Sequence, residues 1–96
     1  MNAEIKRKWV EALRSGRYVQ LQGGYIRDPR PESNRHCCLG VLCEVAYTAP
    51  QWGDTLILRK LYPKVKLSRK AAQELAKMND AGATFAELAD HIEATL

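Results

Sequence analysis

The chain lacks several features, and each absence excludes a class of protein. No apolar run approaches the roughly 20 residues that a membrane-spanning helix needs. Met1-Asn2-Ala3-Glu4-Ile5 is helical in pattern and has no signal-peptide core. Cysteine is scarce: there are three in 96 residues, an odd number, with Cys37 and Cys38 adjacent. This is no disulfide framework, and it agrees with a reducing compartment. His36, Cys37 and Cys38 are consecutive, without the intervening residues that let paired ligands close on one zinc ion. No metal and no cofactor are therefore expected. Aromatics make up 7% of the chain and do not interleave with its cations, so no familiar nucleic-acid docking motif stands out. The expectation is one soluble, cytoplasmic domain over residues 1–96, with one modest core and no membrane partner.

What is present centres on Arg35-His36-Cys37-Cys38-Leu39-Gly40-Val41-Leu42-Cys43-Glu44-Val45-Ala46. At 100° per residue Cys38, Leu39, Val41, Leu42, Val45 and Ala46 fill a wide apolar arc, which predicts a buried central helix capped by Asn34 or Ser33. In that setting the cysteines are small hydrophobes. The alternative makes Cys37 a nucleophile in the first helical turn, where unpaired N–H groups favour a thiolate, with His36 or His91 as its base.

Helix one is predicted over residues 3–15, with Asn2 as cap and Gly16 at the stop. Gly23-Gly24 between Arg17-Tyr18-Val19-Gln20-Leu21-Gln22 and Tyr25-Ile26-Arg27-Asp28 reads as a tight β-hairpin. Its register sets Leu21 opposite Ile26 and Gln20 opposite Arg27. Val19, Leu21 and Ile26 then face the core, while Tyr18, Gln20 and Arg27 share the outer face. Prolines make residues 28–33 a loop, and residues 48–54 turn the chain after the central helix. Thr55-Leu56-Ile57-Leu58 is too short for periodicity to decide and is read as a possible third strand. Ser68 caps a helix, Asn79-Asp80-Ala81-Gly82 breaks it, and Thr84-Phe85-Ala86-Glu87 is a capping box opening a last helix. The fold class is α+β: an N-terminal helix, a β-hairpin, a central buried helix, a possible third short strand and a C-terminal αα-hairpin. A helix-turn-helix beginning at Thr84 fails because no recognition helix follows it before Leu96.

Charge is divided along the chain. Residues 1–70 hold 14 Lys/Arg against 6 Asp/Glu, and residues 71–96 hold 1 against 5. The densest basic run, residues 59–70, has six cations and no anion. It suits an anionic partner, or else a solvated loop partly answered by the acidic C-terminal helices.

Taken together, Trp9 to Gln20, Cys37-Cys38-Leu39-Gly40-Val41-Leu42-Cys43, Leu75-Ala76-Lys77-Met78-Asn79-Asp80 and Thr84 to Asp90 resemble a family of small phage-encoded proteins without assigned function. Residues 50–70 depart from that pattern. The resemblance implies an accessory protein in a bacterial cytoplasm that antagonises host defence. Three classes follow in order. The first is a non-enzymatic binding protein that sequesters an anionic nucleotide signal or covers a host defence protein. The second is a nucleic-acid-binding factor, and the third a cysteine-dependent enzyme. A nucleotide site needs cations, a stacking ring and amides. Arg14, Tyr18, Gln20 and Arg27 supply these, with Asn79 and Asp80 adding ribose contacts. So small a domain can enclose such a ligand only at a homo-oligomer interface.

Overall fold

In the computed structural model the residues described are 1–23, 27, 28, 30, 33–46 and 56–96, with the side chains of 56–58 excepted. Five helices and one two-stranded sheet appear among them: α1 (Ala3–Arg14), β1 (Val19–Gln20), β2 (Arg35–His36), α2 (Cys38–Ala46), α3 (Leu56–Val65), α4 (Arg69–Asp80) and α5 (Phe85–Thr95). The fold is α+β with helix dominant.

The predicted helix starts at both ends of the chain stand. The Asn2 side chain accepts the Ile5 N–H at 2.9 Å, and Ser68 accepts the Ala71 N–H at 3.1 Å. Thr84 and Glu87 exchange both bonds of the capping box. Around these helices runs one core. Trp9, Leu42, Leu61, Leu75, Leu88 and Ile92 are all fully buried in it. The indole of Trp9 donates to the Cys38 carbonyl at 2.9 Å, so the largest core ring is also tied to the start of α2.

The middle of the chain corrects three expectations. First, the central helix begins at Cys38, and neither Asn34 nor Ser33 caps it, because Arg35–His36 is extended and pairs with β1. Second, the hairpin is replaced by a parallel pair with Val19 beside Arg35 and Gln20 beside His36, while Arg27 bridges His36 from the opposite side. Three backbone bonds hold this: Val19 N–H to Asn34 O (3.0 Å), Leu21 N–H to His36 O (2.8 Å) and Asp28 N–H to Arg35 O (2.9 Å). β2 therefore lies between the two segments that the hairpin would have joined. Of the predicted hairpin, Gly24, Tyr25 and Ile26 lie outside the described residues, as does the turn predicted over 48–54. Third, Leu56, Ile57 and Leu58 of the possible third strand form the first turn of α3, and Thr55 lies outside the described residues. Leu61 and Val65, one turn apart and both fully buried, supply the helical period that the window 55–58 was too short to display.

Both αα turns end in left-handed caps. Gly82 (φ 106°) closes α4, and the Ala83 N–H reaches the Met78 carbonyl at 3.0 Å. Lys66 (φ 57°) does the same for α3, and the Leu67 N–H reaches the Tyr62 carbonyl at 3.0 Å. A side chain at that φ carries a steric penalty glycine escapes. Lys66→Gly should therefore stabilise the fold by about 1 kcal/mol, read as a higher urea midpoint at unchanged slope.

Candidate functional site

The three thiols are buried and reduced. Cys37 stands just before α2, and N–H groups of Gly40 and Leu39 face its sulfur, as a thiolate would require. Burial outweighs them: it pushes the Cys37 thiol up, raises Cys38 further, and lifts Cys43 to about 12. His36 has its Nδ1 on the Asn34 carbonyl (3.0 Å) and its Nε2 on Glu44 Oε1 (3.1 Å). His91 is half-buried on α5, beside a groove of about 310 Å³ between α4 and α5. The chemistry available at the cysteines is that of packed, protonated side chains.

The sheet has one face turned inward, and it is the polar one. Residues in register across neighbouring strands point to the same side. Gln20, His36 and Arg27 therefore share a face, and Tyr18 joins it by alternation. The Tyr18 ring meets the His36 ring edge-on at 5.0 Å. This grouping of Tyr18, Gln20 and Arg27 is the predicted one, with His36 inserted between the last two. Its direction differs within β1: Tyr18 and Gln20 are half-buried, whereas Val19, expected in the core, is 50% exposed; Leu21, just after the strand, is buried as expected. Buried polar partners are the reason.

Asn79, wholly buried at the end of α4, organises those partners. Its Oδ1 accepts from Gln20 Nε2 (3.0 Å) and from the Cys38 N–H (3.3 Å). Its Nδ2 donates to the Leu21 carbonyl (2.8 Å) and to Asp80 Oδ1 (3.2 Å). Gln20 also donates to the Ala83 carbonyl at 2.6 Å, Gln22 donates to the Asn79 carbonyl, and Asp80 accepts the Gly23 N–H. Gln20, Asn79 and Asp80 are thus brought together, bonded to one another and to backbone. His36 and Glu44 were missed as members of this region; their only sequence signal was polarity inside an apolar segment.

Arg14 is engaged elsewhere. Its guanidinium pairs with Asp90 (2.7 Å) and Glu93 (3.2 Å) on α5. It borders a shallow groove of about 840 Å³ that Lys6, Arg7, Val10 and Glu11 also line. Near the sheet, Asp28 is clamped by Arg30 at 2.6 Å, which holds its carboxyl well below the usual range. The basic run has another character. Arg59, Lys60, Lys66, Arg69 and Lys70 are exposed, and no ion pair among the described residues includes them. The acidic C-terminal helix answers α1, not this run.

The fold and its surface define a small helix-rich α+β domain with a sealed thiol core, an inward polar sheet face and a cationic surface on α3 and α4. The chain belongs to a family described as a domain of unknown function, DUF8296, whose sequence model matches residues 1–63. Asn79, Asp80 and all of α4 and α5 lie beyond the matched stretch. No curated protein and no solved structure matches the chain.

Two measurements check this description. Asn79→Ala removes the acceptor of Gln20 and Cys38 and the donor to Leu21, leaving buried groups unsatisfied. The expected loss is about 2–4 kcal/mol in urea unfolding. For the thiols, the folded state suppresses an ionisation that the unfolded chain undergoes near its ordinary 9.0. Their contribution is complete below that pH and falls as pH rises toward 12. Alkylation by iodoacetamide at pH 8 should be negligible in native protein and rapid once urea unfolds it, and thermal stability should decline above pH 9.

Proposed function

We propose that this protein acts by binding a phosphate-bearing partner and not by covalent catalysis. One observation carries the reading: five exposed cations between residues 59 and 70 stand outside every ion pair among the described residues. Cations left unanswered on a surface create a field that raises the local concentration of anions. The buried, protonated thiols weigh against the enzyme alternative.

Joined to the resemblance with small phage proteins, this gives the role of an accessory protein that opposes bacterial host defence. It would do so by sequestering an anionic nucleotide signal, or by covering a defence protein, as a homo-oligomer. In the nucleotide version Arg14, Tyr18 and Arg27 supply charge and stacking. Gln20, Asn79 and Asp80 take part only by exchanging bonds they now hold within the chain. That exchange carries a desolvation cost, so the version resting on the exposed run of residues 59–70 stands ahead of it. Nucleic-acid binding, the second reading, draws on that same run.

Thermal unfolding in the presence of ATP, a cyclic dinucleotide, inorganic polyphosphate or random-sequence duplex tests the reading. At least one of these should raise the melting temperature in a salt-sensitive way. A ligand present at a hundred times its Kd contributes about 2.7 kcal/mol. Folded Cys37→Ser should keep the shift, and Lys60→Glu with Lys70→Glu should abolish it. No shift with any probe, or a loss of binding confined to folded Cys37→Ser, would overturn the proposal.

A further inference from the structure

We propose that α3, the turn at residues 66–68 and α4 form a helix-turn-helix unit whose second helix enters the major groove of duplex DNA. This deepens the binding reading above and rests on it.

The connection has the required form. Only three residues separate Val65 from Arg69, and such units join two helices by a turn of three or four residues. Lys66 takes the left-handed conformation that reverses the chain, the Leu67 N–H closes the end of α3, and Ser68 caps α4. Leu61, Val65, Leu67, Ala72 and Leu75 are buried on both sides of the turn, so each helix is anchored to the core by one face. Both helices pack on α2 more than on each other, so α2 serves as the supporting third helix. The first helix of this unit lies two helices before the one that opens at Thr84.

The remaining face of α4 is exposed, with Lys70 and Glu74 also bordering the groove toward α5. Ala72, Leu75 and Asn79 point one way; Lys70, Gln73, Glu74 and Lys77 are exposed on the other side, and Arg69 is exposed at the helix start. Arg and Lys pair with guanine edges, Gln with adenine, and Glu accepts from cytosine, so this face carries donors and acceptors for base readout. Arg59 and Lys60 on α3 and Lys66 in the turn supply cations for the phosphate backbone, the part played by the first helix and the turn in such units. The amino end of α4, with its aligned N–H groups, adds to the attraction.

Duplex DNA is the nucleic acid this geometry fits. A helix enters the wide major groove of B-form DNA, whereas the A-form major groove is too deep and narrow. The sequence of α4, Arg69 to Asp80, has no aromatic residue on which unpaired bases could stack. Of the three carboxylates of α5, Asp90 and Glu93 are held by Arg14 on α1, and Glu87 accepts the Thr84 N–H in the capping box.

Fluorescence anisotropy with a labelled random-sequence duplex of two helical turns, followed by selection of preferred sequences from a random library, tests the proposal. Binding should be measurable at about 50 mM salt and weaken by orders of magnitude toward 200 mM. Lys70→Glu should weaken it about tenfold or more, and Gln73→Ala should relax preference at one base position. Lys60→Ala should lower the salt slope by about one without changing the preferred sequence. Arg7→Ala, on α1, should bind as the unaltered protein does, and circular dichroism melts establish that every variant is folded. Absence of duplex binding at low salt overturns the proposal, as does equal loss from Arg7→Ala and Lys70→Glu. If duplex fails while polyphosphate or a nucleotide still binds, only this inference falls. If every phosphate-bearing probe fails, the broader reading falls with it.

Discussion

The rest of the structure depends on one buried amide. Asn79 joins β1 through Gln20, the residue after it through the Leu21 carbonyl, α2 through the Cys38 N–H, and the α4–α5 turn through Gln20 and Asp80. A two-stranded sheet with two residues in each strand has no stability of its own. Here its position is set by polar bonds to the end of a helix. A fully buried Asn is tolerated only when its donors and acceptors are met; with all of them met, it fixes the strand's facing. That is why Val19 lies outward and Gln20 inward, against the hydrophobic alternation.

The ends of the chain were legible because caps and periodicity agreed there. Asn2, Ser68 and Thr84 each placed a helix start, and Trp9, Leu75, Leu88 and Ile92 fell on buried faces. The middle was not legible, for three physical reasons. Arg35 and His36 continue the apolar segment in sequence, yet their backbone pairs with a strand sixteen residues away, and local pattern cannot report such pairing. The glycine pair suggested a hairpin, but a strand from further along the chain took the partner's place. The window at 55–58 ended before Leu61 and Val65 revealed the helical period.

The candidate site divides the same way. Residue types were readable: cations, an aromatic ring and amides do gather around the sheet. Their satisfaction was not readable, because whether Gln20 meets a ligand or Asn79 is decided by a contact 59 positions along the chain. The basic run was plain in sequence; what the sequence left open was whether the acidic tail answers it. Asp90 and Glu93 are occupied by Arg14 instead. That pairing leaves Arg59 and Lys60 of α3 and Arg69 and Lys70 of α4 outside every ion pair among the described residues.

Burial and charge in α3 and α4 lie on opposite faces, and this separates folding from binding. Leu61, Val65, Ala72 and Leu75 hold the two helices to the core whatever stands on the outer side. Exposed charges far from such contacts usually change stability by less than about half a kcal/mol. The outer residues can therefore alter without endangering the fold. The opposite holds for the sheet face, where Gln20 and Asn79 bond to one another and substitution for a new ligand would loosen the core. A surface that can change while the fold persists is the better place for a partner-specific interface, which is a further argument for the role proposed for α3 and α4.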